Sequence, residues 1–371
     1  MVMFLKLIPW GSLKLIIIIL LVVSTATSIT GLYVVSISKT LTDTLTLGSD
    51  DFLILSSTSK TPYTGVITDL SSYFRGIEGV GLVSPEVLTP VVVGGKVVFL
   101  RGVNITLFKD LGVVKYLSGS WPESQYDVLV GSRLSNYLGV NVGDSILITG
   151  IPTGKEVRVF VRGTYVSNTP LDDELLSTSS LAKELRGIQG NYVTLVRVRF
   201  VDHVNKSLIP NYLSPTKDSS IPSTVLKSLK VVEGGSELLD EVLGRGVKIS
   251  SNFLWSSTLL VITSSVLAIY YGTSWVLNNL NDVLITLRFL GLSRFRVALL
   301  VITKLLILSI TSGILGYLTS YSILKLVFDL LKPQILAHTI ELVIDSKVLL
   351  LTTLVPSIIT VASVMIRVRE L

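Results

Sequence analysis

The sequence predicts an integral membrane α-helical protein: four transmembrane helices, one plus three, with a large mixed α/β extracytoplasmic domain inserted between helices 1 and 2. Three observations predict it. Charged residues make up 16% of the 371, against about 25% in soluble globular chains. The mean hydropathy is +0.67. Four long stretches are almost free of charge, and only the block between the first two is polar enough to fold in water.

The first stretch, Leu15 to Ile37, contains no charged residue, and Leu15 to Val23 is an unbroken aliphatic run. About 20 residues at 1.5 Å each cross a hydrocarbon core. Ser24 to Ser28 supplies the small residues of a signal-peptide cleavage site. The apolar stretch resumes through Leu32, Tyr33, Val34 and Val35, which favours a retained anchor. Three further spans follow at about 253–277, 297–324 and 348–366; Lys304 is the single charge within them, and Pro356 predicts a kink.

Charge sets the orientation. The segment 38–250 holds 21 Lys+Arg and 21 Asp+Glu, and the segment 325–347 is likewise neutral. The formal net charge of +6 lies on one side, with Lys6, Lys14, Arg288, Arg294, Arg296, Lys304, Arg367 and Arg369 against Asp282 and Glu370. The positive-inside rule makes that side cytoplasmic, with both termini, in a multi-pass protein of the cell membrane. A pI of 9.3 is thereby a topology signal, and nucleic acid is not an expected partner. The domains follow as 1–37, the cytoplasmic N-terminus and first span; 38–250, the outer domain; and 251–371, the remaining spans.

Within 38–250, Gly94-Gly95 between two valine-rich runs reads as a two-residue hairpin. Val128 to Val130 reads as a short buried strand. Ser132 to Leu138 reads as a helix capped by its serine and closed by Gly139. Residues 145–149 and 157–166 alternate as strands around Pro152-Thr153-Gly154. Residues 207–223 predict a loop, and Glu237 to Leu243 an amphipathic stalk.

No constellation supports catalysis, a metal or a cofactor in this chain. There is no cysteine, and the two histidines, His203 and His338, have no ligand spacing around them. The string from Gly150 to Glu156 is one residue short of a phosphate loop and leads into a strand, so it reads as a hairpin turn. No G-x-S-x-G elbow occurs. The run Asp172-Asp173-Glu174 reads as a solvated or helix-capping face. Asn104-Ile105-Thr106 and Asn205-Lys206-Ser207 fit the glycosylation pattern, both in the outer block. In the third span Ser312, Gly316 and Ser320 share one face with Gly313 beside it, a register for close packing in lipid. Packing within this chain's bundle and packing across a dimer both satisfy it. Lys304 would snorkel to the inner interface or contact a partner.

Asp282 to Leu318, reading DVLITLRFLGLSRFRVALLVITKLLILSITSGILGYL, resembles the FtsX-like domain of ABC transporter permeases. Leu287 to Arg294 matches that family's LRALGASR core, and Ser312 to Gly316 its glycine motif. The segments Gly79 to Val87 and Tyr126 to Asp144 resemble the family's MacB-like extracytoplasmic domain. Three departures stand: Val283 at the position of a family glutamate with Asp282 beside it, Lys304 in place of another, and a short tail from Arg367 to Leu371.

The resemblance implies a permease subunit without its own ATPase, served by an ABC ATPase in trans, with a second permease copy as a homo- or heterodimer. Force would pass through the spans to the outer domain, which would export or extract a substrate or regulate an envelope partner. It also implies an ATPase-coupling loop of Asp282, Leu284, Leu287, Arg288, Phe289, Leu290, Gly291, Arg294 and Arg296. Leu284, Leu287, Phe289 and Leu290 would seat in a groove of the ATPase, and Arg288 and Arg294 would pair with its acids. Read without the resemblance, this loop lies on anionic membrane lipid. The rival class is a membrane-anchored extracellular receptor or adhesion module without an ATPase partner.

Overall fold

The computed structural model describes residues 10–48, 52–57, 63, 65–74, 79–200, 229–232 and 251–370. His203, the sequon at Asn205, the 207–223 loop and the 237–243 stalk lie outside the described residues. The chain divides into two units. One comprises Met1–Ile37, Ser250–Pro333 and Glu341–Leu371; the other comprises Ser38–Ile249 and Gln334–Ile340.

Helices build the first unit. Numbered in chain order over the described residues of both units, the helices are α1 (Lys14–Thr46), α2 (Ser71–Phe74), α3 (Ile105–Asp110), α4 (Ser132–Leu138), α5 (Ser179–Arg186), α6 (Ser251–Asn279), α7 (Asn281–Phe289), α8 (Arg294–Leu331) and α9 (Ser346–Glu370), of which α2 to α5 belong to the second unit. Four of them, α1, α6, α8 and α9, are long and apolar enough to cross a membrane. Their shared core joins Leu13, Ile16 and Leu20 of the first chain passage to Ile269, Val276, Val301, Leu305 and Val364. Opposite faces, such as Ile314, Leu315 and Leu318 on α8, are exposed, as a helix in lipid requires.

Helix α1 runs nine residues past Ile37, where its charge-free stretch ends. The extension is polar in sequence but satisfied in place. The hydroxyls of Thr42, Thr44 and Thr46 each donate to the carbonyl four residues back. Lys39 and Asp43 form an i,i+4 pair at 3.0 Å.

The second unit is a mixed sheet. Among the described residues its strands are β1 (Phe52–Ser57), β2 (Ile67–Thr68), β3 (Val80–Val93), β4 (Lys96–Val103), β5 (Tyr116–Gly119), β6 (Asp127–Gly131), β7 (Ser145–Gly150), β8 (Glu156–Val166), β9 (Glu174–Thr178), β10 (Tyr192–Val193), β11 (Leu195–Phe200) and β12 (Leu229–Val232), with β13 (Gln334–Ile335) and β14 (His338–Thr339) as a separate hairpin and β2 with β10 as a separate pair. The main sheet runs β12-β1-β11-β3-β4-β9-β6-β8-β5, and β7 pairs with both β3 and β8. Strands β3, β4, β9, β6, β8 and β7 therefore close a six-stranded ring. Two of its pairings, β4–β9 and β6–β8, are parallel.

The predicted turns appear where the residues require them. Val93 pairs with Lys96 across Gly94 and Gly95, whose φ values of +57° and +77° suit a primed turn. The phosphate-loop lookalike is a hairpin between β7 and β8, with Thr149 opposite Glu156. Helix α4 spans the predicted residues and closes on Gly139, but its cap position is Gly131, and Ser132 is the first helical residue.

Alternation of side chains gives the sheet two cores. Val87, Val91, Leu100, Val130, Val161 and Leu175 fill one with Leu181 and Leu185 of α5. Leu47, Val103, Phe108, Leu129, Tyr165 and Leu176 fill the other.

Candidate functional site

The residues singled out as a coupling loop form a helix, a turn and a second helix. Helix α7 stops at Phe289, and Gly291 takes φ +89° to reverse the chain. Ser293 then caps α8, accepting from the Arg296 N–H. A shallow recess of about 530 Å³ lies at this turn, lined by Ile285, Arg288, Phe289, Gly291, Leu292, Ser293 and Arg294.

The turn sorts its apolar residues into two sets. Leu284 and Leu287 are buried, packed in the membrane unit's core with Val297 and Val301. This corrects the expectation that both would seat in a partner: the α7 pattern points them at their own bundle. Phe289 and Leu290, in contrast, are 87% and 69% exposed. Phe295, one residue into α8 and 74% exposed, joins them. Sequence reading passed over it because it lies between two arginines. Its signal was an aromatic ring at a charged helix start, where the core had no use for it.

Ser312, Gly313, Gly316 and Ser320 are all buried within this chain. A Cβ at Gly316 would lie 2.6 Å from Cβ of Ser24 on α1. Ser320 Oγ is 2.9 Å from the Thr25 carbonyl. A Cβ at Gly313 would lie 2.9 Å from the Thr352 carbonyl oxygen on α9, the acceptor whose helical donor Pro356 removes. Small residues here let α8 meet α1 and α9 backbone to backbone. Lys304 is buried on the same helix.

The α/β unit holds the group that sequence reading missed. Asp172, Asp173 and Glu174 are all buried, so the acidic run is not a solvated face. Asp172 accepts from the Ser167 N–H and hydroxyl at 2.6 and 2.8 Å. Asp173 accepts from Arg133 Nε at 3.1 Å and from the Thr339 N–H at 2.9 Å.

Glu174 ends a ladder of four charges without exposure, Arg197, Glu86, Arg101 and Glu174, on the adjoining strands β11, β3, β4 and β9. Signs alternate along it. Arg197 Nε meets Glu86 at 2.6 Å; Arg101 meets Glu86 at 2.5 Å through Nη1 and Glu174 at 2.6 and 2.8 Å through Nε and Nη2. Burial pushes the Glu86 carboxyl up, but the Arg197 and Arg101 charges outweigh it and hold it below the ordinary range. Burial likewise works against the Arg101 charge, and Glu174 and Glu86 more than restore it. His338 stacks on Phe99 at 5.7 Å beside this ladder, with Nδ1 3.2 Å from the Pro170 carbonyl.

No protein-family model matches the chain, and no curated protein matches it. Solved structures do. The chain is similar to the periplasmic region of MacB from Actinobacillus actinomycetemcomitans, at 15% identity and a TM-score of 0.36, over 51% of this chain and 90% of that one. It is also similar to the extracellular domain of the noncanonic ABC-type transporter YknZ from Gram-positive bacteria, at 13% identity and a TM-score of 0.32, over 49% of this chain and 99% of that one.

Among the described residues no group of three or more His, Asp or Glu is placed to hold a metal ion. The arrangement offers two chemistries. An exposed apolar turn with arginines suits a protein contact, and a buried charge ladder suits fixed positioning.

Proposed function

We propose that the chain is the permease subunit of an ABC transporter, which transmits ATP hydrolysis by a separate cytoplasmic ATPase subunit through its spans to movement of its extracytoplasmic α/β unit. The observation that carries the reading is the turn between α7 and α8. Phe289, Leu290 and Phe295 stand exposed there, among Arg288, Arg294 and Arg296. Aromatic anchors with arginine beside them are the usual centre of a protein–protein contact. The positive-inside rule assigns this turn, and both termini, to the cytoplasm. The α/β unit then lies outside. The match of Leu287 to Arg294 with the LRALGASR motif supports the same reading.

The corrected roles of the leucines give the coupling a path. Phe289, Leu290 and Phe295 contact the ATPase, and the arginines meet its acids. Leu284 and Leu287 fasten α7 to Val297 and Val301 of α8. A push on the turn therefore displaces the helix rather than bending a loop. Helix α8 bears on α1 and α9 through Gly316, Ser320 and Gly313. A second permease copy and lipid cover the apolar faces left exposed, and the cargo is a substrate or envelope partner outside.

The chain contains no cysteine, so a single introduced thiol reports one position. Phe289→Cys with a photoreactive thiol reagent in native membranes cross-links to a polypeptide bearing a G-x4-G-K-[ST] loop. Val97→Cys, exposed on β4, gives no such adduct. Equal labelling of the ATPase from both positions, or none from Phe289→Cys, rejects the proposal.

A further inference from the structure

Helix α1 ends at Thr46 with no basic residue in its last turn. Its last four carbonyls lack helical donors, and the negative end of its dipole points the same way. Two of those carbonyls are met by the charge ladder. Arg101 Nη2 donates to the Thr44 carbonyl at 3.2 Å, and Arg197 Nη1 donates to the Leu45 carbonyl. All these groups belong to the α/β unit.

Ladder geometry accounts for the choice of arginine. Glu86 pairs across the sheet with Leu195 and Val103, and Glu174 with Phe99. Arg197 and Arg101 are two residues along from those partners, so all four side chains share one sheet face. Each guanidinium spends part of its fork on a carboxylate and has an N–H left for the helix end. An ammonium holds the charge but not this fixed division of donors.

Stability alone does not explain the ladder. Removing four charges from water is expensive, and apolar replacements of buried ion pairs are often as stable or more so. Apolar side chains cannot supply directed donors to helix carbonyls. We infer that Arg101 and Arg197 are positioning residues that fix the C-terminal end of α1 to the sheet, so that the helix end and the sheet move as one body. The second passage of chain into this unit docks on neighbouring groups: Thr339 N–H and Oγ1 bond Asp173, and His338 stacks on Phe99. The use of this joint in coupling rests on the proposed function; its geometry does not.

Hydrogen exchange on the full chain in lipid nanodiscs tests it. In Arg101→Lys/Arg197→Lys the amides of residues 44–48 exchange at least tenfold faster than in the wild type. Those of β6 and β8, across the ring, keep wild-type protection. Glu86→Gln/Arg197→Met, which removes one opposite-charge pair and leaves Arg101 with Glu174, gives the same pattern should the lysine variant fail to fold. Unchanged protection of residues 44–48 over an intact sheet overturns the inference. Loss of protection across the whole sheet in both variants overturns it too, because the ladder is then a folding element. Failure of the coupling reading shows separately, as absence of an ATPase adduct at Phe289→Cys.

Discussion

Gly316 on α8 and Ser24 on α1 stand so close that a Cβ on the glycine would come within 2.6 Å of the serine's. The atoms it would meet next are backbone, at Thr25 N and Ser24 C, so no side-chain rotation relieves the clash. Gly316→Leu forces the helices apart and costs about 1–3 kcal/mol, the usual range for overpacking. Detergent-titrated unfolding of the full chain measures it. Leu318→Ala, on the exposed face of the same helix, leaves the midpoint unchanged.

Asp127, fully buried at the start of β6, accepts the N–H groups of Glu123 and Ser124 at 3.1 and 2.9 Å and faces Arg162 Nε at 2.9 Å. Asp127→Ala leaves two N–H donors unpaired and costs about 1–3 kcal/mol. Thermal unfolding of the full chain checks this, with faster hydrogen exchange at Ser124 as its local mark.

His338 predicts a pH response. Burial pushes its pKa down; Glu174 and Asp173 pull it back, while Arg101 pushes it further down. The net shift is downward, so the folded chain holds a neutral imidazole between Phe99, Pro170 and those charges. Unfolded, the group titrates near 6.5. The unfolded chain therefore binds more protons as pH falls below about 6.5, and stability declines in that direction. The depressed Glu86 carboxyl adds a second decline, which begins near the ordinary carboxylate range. His338→Gln flattens the upper limb only. Unfolding midpoints between pH 7.5 and 5 measure the difference.

Arg186 donates to the Gly65 carbonyl at 3.2 Å, and burial lowers its pKa to about 10. Arg186→Met at this half-buried position gives up that bond but also relieves a buried charge whose Nη1 has no acceptor, so the two effects offset to within about 1 kcal/mol. The thermal midpoint of the variant checks it.

Four helices long and apolar enough to cross a membrane were legible because they follow from apolar length. The hairpin at Gly94-Gly95 was legible from turn chemistry and the end of the 132–138 helix from Gly139, but Ser132 is the first helical residue and not its cap. What escaped notice depended on pairing at long range. Glu86 and Arg197 are 111 positions apart, and no local pattern announces that two such residues neutralise each other on adjoining strands. The same blindness made Asp172-Asp173-Glu174 look solvated. The motif singles out the turn between α7 and α8, but only packing separates Leu287, which faces its own bundle, from Phe289, which does not.

The coupling turn is the central claim, and co-purification tests it most directly. The tagged wild-type chain, extracted from native membranes, retains an ATPase that carries a G-x4-G-K-[ST] loop and hydrolyses ATP. Phe289→Asp/Phe295→Asp, altered at two exposed side chains outside the core, inserts and folds but loses that subunit at least tenfold. Recovery of the ATPase in equal yield with both chains, or with neither, would contradict the account.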